Sequence, residues 1–297
     1  MSVLERNGIS EEKYKQIEFL KSLPREKQIE IIKEGKVDDF DLDNDGLSNY
    51  LEGVVGKGLF DPFEPNKRYV LFLDTVDDEK RKAFWPERMV PMFYSWVERN
   101  GIPKENVYVV AGRALSNNGE ENWNEILKEK VEKIAEKSTD NDFVYLILLG
   151  HGEKGEMYSK PEPLKYETLD KWFDEIDAKV MTVIVTSCFS GSSIPYLEEK
   201  NRIVITSTSD DSFSITPFLD NLFEPRTEKP RGNVCELNGD VNEDKIITAK
   251  EFYEFKRGTP DVFEAKGTHI IIYGNPQISD PENIRGKIPL NILLVEE

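Results

Sequence analysis

Residues 143–152 read Phe143-Val144-Tyr145-Leu146-Ile147-Leu148-Leu149-Gly150-His151-Gly152. A continuous apolar run closed by glycine is the pattern of a strand buried on both faces. Shorter runs of the same kind flank it. Tyr69-Val70-Leu71-Phe72-Leu73 and Val107-Tyr108-Val109-Val110 come before. Val180-Met181-Thr182-Val183-Ile184-Val185 and Arg202-Ile203-Val204-Ile205-Thr206 come after, and His269-Ile270-Ile271-Ile272-Tyr273 reads as a sixth strand. Between the runs, apolar residues fall at helical spacing: Met89, Phe93, Trp96 and Val97; then Trp123, Ile126, Leu127, Val131 and Ile134; then Leu169, Trp172, Phe173 and Ile176. Strands that alternate with amphipathic helices predict an α/β fold, a mostly parallel sheet of about six strands covered by helices on both faces.

In such sheets chemistry collects beyond the carboxyl ends of the strands. Gly150-His151-Gly152 follows the third run, and Thr186-Ser187-Cys188-Phe189-Ser190-Gly191 follows the fourth. If those strands are neighbours, His151 and Cys188 stand at equivalent ends. A thiol becomes a strong nucleophile when a nearby imidazole takes its proton. The backbone N–H groups of Gly152 and Cys188 would then face a developing oxyanion. The chain has only two histidines and two cysteines. His269 opens the sixth run and Cys235 precedes an acidic loop, so neither is expected to take part.

Composition removes several alternatives. Two cysteines cannot make a disulfide scaffold, and a zinc site without carboxylates would consume every His and Cys. A formal charge of −18 with no basic patch argues against nucleic acid as a partner. No run of 18 apolar residues marks a membrane span.

The His-Gly and Cys blocks together resemble the caspase–legumain clan of cysteine peptidases, and the legumain family most closely. Cys188-Phe189-Ser190-Gly191-Ser192 follows that family's pattern after the nucleophile. Arg99-Asn100-Gly101-Ile102-Pro103 and the segment Ile205–Ser214 are similar as well. The resemblance covers about residues 68–215. It implies a three-layer α/β/α sandwich and a Cys–His endopeptidase with a polypeptide substrate. Cys188 would form a thioester acyl-enzyme, His151 would act as base and then acid, and Gly152 and Cys188 would supply the oxyanion hole. Thr186 stands where legumains carry Glu in the P1 pocket. Ser209, Asp210 and Asp211 lie where the family builds a pocket wall. The two acids suggest a basic P1 residue; the plainer reading is solvated loop acids.

Asp41-Leu42-Asp43-Asn44-Asp45-Gly46-Leu47-Ser48-Asn49-Tyr50-Leu51-Glu52 matches the twelve-residue calcium loop of EF-hand and dockerin type. Asp41, Asp43, Asp45, Asn49 and Glu52 offer side-chain oxygens, and Leu47 its carbonyl. Asp240 to Glu251 repeats the pattern with Asp240, Asn242, Asp244, Ile246, Thr248 and Glu251 as ligands. There Lys245 replaces the glycine of the sharp bend, where a left-handed backbone costs a non-glycine residue about 1–2 kcal/mol. Ca²⁺ is the expected ion, in one loop or both.

The expected organisation is an N-terminal helical calcium-loop segment, residues 1–65, serving as accessory piece or prodomain. A peptidase core at 66–234 follows, then a second calcium-loop insertion at 235–258. C-terminal strands at 259–297 complete the core. Self-cleavage would be a natural activation step. A peptide ligase of the same clan, sharing the acyl-enzyme, is one alternative; a catalytically inactive, calcium-stabilised binding protein is another. Residues 1–16 lack a signal-peptide pattern. The calcium loops favour secretion after leader removal, with the cytoplasm as the other compartment.

Overall fold

The computed structural model describes residues 65–76, 89–111, 122–214, 217–223, 246–258, 261–265, 268–272, 275–281 and 289–292, with residues 19, 22–24, 27, 30 and 31. The chain divides into two compact units, Met1–Asn66 and Lys67–Glu297. The first calcium-loop candidate, residues 41–52, lies outside the described residues, as do Asp240, Asn242 and Asp244 of the second.

The second unit begins with β1 (Arg68–Asp74), α1 (Val90–Arg99), β2 (Val107–Ala111), α2 (Trp123–Ala135) and β3 (Phe143–Leu149). Three short strands follow, β4 (Gly152–Glu153), β5 (Glu156–Met157) and β6 (Leu164–Lys165), then α3 (Tyr166–Phe173) and β7 (Val180–Thr186). Next come α4 (Ile194–Leu197), β8 (Arg202–Thr206) and α5 (Pro217–Phe223). The described C-terminal elements are β9 (Ile246–Thr248), α6 (Ala249–Gly258), β10 (Asp261–Ala265), β11 (Thr268–Ile272), β12 (Gln277–Ser279) and β13 (Pro289–Ile292).

Six strands form the central sheet in the order β12-β8-β7-β3-β1-β2. Five are parallel; only β12 runs antiparallel, against β8. The expected sixth strand is corrected here. Residues 268–272 pair with β10 in a separate hairpin, and the sheet is completed by the less apolar Gln277–Ser279. An edge strand is not flanked on both sides and does not need a continuous apolar run.

Alternate residues of the strands feed two cores. Leu71, Leu73, Leu146, Leu148, Val183 and Val185 face α2 and α3, where Leu127, Val131, Leu169 and Phe173 are fully buried. On the opposite face Phe72 stacks on Phe93 of α1 at 4.8 Å and meets Phe223 of α5 edge-on at 5.7 Å. Trp96 of α1, at 0% exposure, packs edge-on against Tyr145 at 5.8 Å. Burying each such side chain stabilises the fold by about 1.5–3 kcal/mol. The three-layer α/β/α expectation therefore holds. Arg202, buried at the start of β8, ties that strand to the end of α3 through Asp170 and Asp174, at 2.7 and 2.8 Å. Among the described residues no helix is long and apolar enough to cross a membrane.

Candidate active site

The site follows from strand register. β3 and β7 are adjacent and parallel, and their last paired residues are Leu149 and Thr186. The Gly150 N–H continues the ladder by donating to the Thr186 carbonyl at 3.0 Å. His151 and Cys188 are each two residues beyond that last pair. His151 is exposed, and Cys188 is a half-buried free thiol.

Gly152 sits where the two segments touch. A Cβ added there would lie 2.9 Å from Ser187 Oγ, 3.0 Å from the Glu156 carbonyl oxygen and 3.1 Å from the Cys188 carbonyl oxygen. Only glycine lets the His turn approach the Cys turn this closely. The His turn is pinned from the other side, since the Tyr158 N–H donates to the His151 carbonyl at 2.9 Å.

β4, β5 and β6 form a small antiparallel sheet directly after His151. Its first turn needs the left-handed backbone of Gly155, φ 84°. The Gly155 N–H then donates to Ser192 Oγ at 3.0 Å, joining the hairpin tip to the segment after Cys188. Ser192 Oγ in turn donates to the Phe189 carbonyl at 2.7 Å. Phe189 itself has φ 57°, the one positive φ at a non-glycine position among the described residues. Its N–H donates to the Ser212 carbonyl at 2.8 Å, and its ring meets Phe213 edge-on at 5.1 Å.

Hydroxyl groups support the Cys turn from below. Ser187 Oγ is 3.2 Å from the Tyr166 phenol, which burial pushes up to about 12. Ser190 Oγ accepts from the Thr208 N–H at 3.2 Å and lies 3.3 Å from Ser207 Oγ. Tyr158 has its ring centroid 6.4 Å from that of His151. Its phenol donates to the Glu153 carboxylate, which raises it above the ordinary tyrosine range, and burial and Glu153's charge add to the effect.

The pocket candidates separate into two kinds. Thr186 and Ser209 are buried, and among the described residues the Thr186 hydroxyl has no hydrogen-bond partner. Asp210 and Asp211 are exposed. Asp210 lies 3.9 Å from Lys154, and Asp211 accepts from the Ser209 and Ser212 hydroxyls. The first of those hydroxyls does most to hold the Asp211 carboxyl below its usual range. Thr186 also shares a row across the sheet with Leu149 and Asp74.

Of the second calcium-loop candidate, Ile246, Thr248 and Glu251 are described. Glu251 Oε2 accepts from the Thr248 N–H at 3.0 Å and from Thr248 Oγ1 at 2.8 Å. The Glu251 N–H donates back to Thr248 Oγ1 at 3.3 Å, a reciprocal cap on α6. Phe252 is buried edge-on against Phe218 of α5. Among the described residues no cluster of three or more His, Cys, Asp or Glu side chains could hold a metal.

Tyr158, Ser192 and Gly191 were not singled out in the sequence. Gly191 carried a signal as part of the Cys block. What it did not reveal is that a Cβ there would lie 2.4 Å from Gln277 Oε1 and 2.6 Å from the Asp210 nitrogen.

Residues 115–221 match the Peptidase C13 family. That stretch carries β3, β7, His151 and Cys188. The match and the α/β sheet support a cysteine peptidase of the caspase–legumain clan. Among solved structures, caspase-1 from Spodoptera frugiperda is similar, at 15% identity and a TM-score of 0.46. The likeness covers 72% of this chain and 86% of that one. No curated protein matches the chain significantly.

Proposed function

We propose that the protein is a calcium-binding endopeptidase working through a Cys188–His151 dyad. The observation that carries this reading is the register of β3 and β7. Adjacent parallel strands end at Leu149 and Thr186, and imidazole and thiol follow at the same step. His151 takes the Cys188 proton, and the thiolate adds to the scissile carbonyl. The Gly152 and Cys188 N–H groups receive the oxyanion, which is stabilised most at the transition state. When the tetrahedral adduct collapses, the C–N bond breaks and His151 returns its proton to the departing amine. A thioester remains on Cys188, and water, deprotonated by His151, hydrolyses it.

On the acyl side, Thr186 stands where the legumain resemblance places a P1-pocket residue, a neutral hydroxyl in place of a carboxylate. Asp210 and Asp211 stay exposed, so any pull they exert on a basic P1 residue acts through solvent. Calcium would be held by Asp41, Asp43, Asp45, Leu47, Asn49 and Glu52, and by the second loop ending at Glu251. The reciprocal cap with Thr248 holds the last of these carboxylates, Glu251, at the start of α6. Bound calcium would neutralise closely spaced carboxylates and fasten these segments. Self-cleavage is the activation step this mechanism makes available.

The test is covalent labelling by a peptide acyloxymethyl ketone. Labelling of the calcium-loaded wild type, abolished in Cys188→Ala and strongly slowed in His151→Ala, is expected. An unlabelled, folded wild type would overturn the dyad and favour a binding protein.

A further inference from the structure

A cavity of about 510 Å³, within the 300–1,000 Å³ range of ligand pockets, opens between the segment that follows His151 and the segment that follows Cys188. Its lining includes Lys154, Ile194, Pro195, Tyr196, Asp210 and Gln277. Neither His151 nor Cys188 lines it. We infer that this cavity is the site for the leaving half of the substrate, and that it selects an aromatic or long aliphatic residue just C-terminal to the scissile bond. The inference rests on the peptidase reading above and extends it to the substrate class.

Three observations place the leaving half here. First, both dyad-bearing segments build the walls. Lys154 belongs to the hairpin that begins at the His turn, and Ile194, Pro195 and Tyr196 follow the nucleophile. The Gly155 N–H to Ser192 Oγ bond holds these walls together. Second, His151 must deliver its proton to the leaving amine, so the departing chain passes the His turn. Third, Thr186 lies in the sheet row facing α1 and α5, whereas Leu197 of α4 belongs to the core formed with α3. The acyl half and the leaving half are thereby directed to opposite faces of the sheet.

The lining also fixes what fits. Ile194, Pro195 and Tyr196 form an apolar wall, and Tyr196 is 43% exposed, available to cover another ring or alkyl chain. Lys154 and Asp210 face each other 3.9 Å apart at 63% and 61% exposure. Such an exposed pair contributes little stability, and its opposite charges cancel. A charged side chain entering the cavity therefore meets no net countercharge, while an aromatic or aliphatic one gains from the apolar wall. Gln277 also lines the cavity, next to Gly191. It belongs to β12, so the short antiparallel strand reaches the site.

The experiment compares two substrates with the same acyl half. One ends in a methyl ester directly after P1, a leaving group too small to fill the cavity; the other continues for four residues between a fluorophore and a quencher, with Leu or Phe after the cut. Tyr196→Ala is expected to raise KM for the long peptide about tenfold, the effect of losing one aromatic contact. The ester substrate should be cleaved as by the wild type. Tyr196→Phe, which keeps the ring, should restore the long-peptide KM. Equal loss on both substrates, or none on the long peptide, would overturn the assignment. So would a wild type preferring Asp or Lys after the cut. A folded wild type that cleaves neither substrate removes the peptidase reading itself, and this inference falls with it.

Discussion

Gly152→Ala probes the point where the His and Cys turns meet. The new methyl would sit 2.9–3.1 Å from three oxygens, against 3.4–4 Å for an ordinary contact. The Ser187 hydroxyl can rotate away from it. The other two oxygens are backbone carbonyls of Glu156 and Cys188 and cannot rotate. The His turn must therefore back away from the Cys turn by several tenths of an ångström, at about 1–3 kcal/mol for overpacking. That displacement moves the Gly152 N–H out of line with the oxyanion. Removing one such donor lowers kcat by about 10²–10³, so a loss of about 10² is expected. Iodoacetamide alkylation of Cys188 needs no oxyanion donor and should stay within a few-fold of the wild type. The assay pairs kcat on a peptide aminocoumarin with the alkylation rate and thermal unfolding. Wild-type kcat in a folded Gly152→Ala protein would refute the reasoning, since the methyl would then fit without moving the donor.

Other perturbations test separate parts of the structure. Thr186→Val removes a buried hydroxyl that has no partner among the described residues, a group that typically costs about 1–3 kcal/mol. The variant should unfold at higher temperature yet show a raised KM for its best P1 residue; a lowered melting temperature would count against the unpaired hydroxyl. Excess EGTA should lower the melting temperature by several degrees, because a ligand that binds only the folded state stabilises it; an unchanged value would remove both calcium loops from the proposal. Burial pushes the Tyr145 and Tyr166 phenols up from 10.0 to about 12, so the folded state keeps them neutral after the unfolded chain has begun to ionise. Their stabilisation is complete below about pH 10 and declines as pH rises toward 12, by about 2–3 kcal/mol for each tyrosine. Urea midpoints measured from pH 8 to 12 should fall over that interval, and a flat profile would contradict the burial of these phenols.

The central strands could be read directly from the sequence because burial on both faces leaves no room for polar residues. Phe143–Leu149 and Arg202–Thr206 coincide with the expected runs. β12 escaped for the opposite reason: three residues at a sheet edge carry little pattern, while the more apolar 269–273 drew the assignment. β4, β5 and β6 are too short to show periodicity, although they shape the His turn. The placing of His151 and Cys188 at matching strand ends is legible because strand ends in register bring distant residues together. The close approach at Gly152 and the Gly155–Ser192 bond were not, since they depend on how loops from different strands meet.

Phe189 sets a limit on how this site can change by mutation. A bulky residue pays about 1–2 kcal/mol for a left-handed backbone, and the position follows Cys188 directly. Drift toward stability alone would favour glycine or asparagine there. Either would discard the ring that packs against Phe213 and with it a link between the nucleophile's turn and the loop after β8. Selection for thermal robustness and selection for a fixed thiol thus pull one position in opposite directions. Stabilising changes should therefore accumulate first in the two cores, away from the carboxyl edge of the sheet.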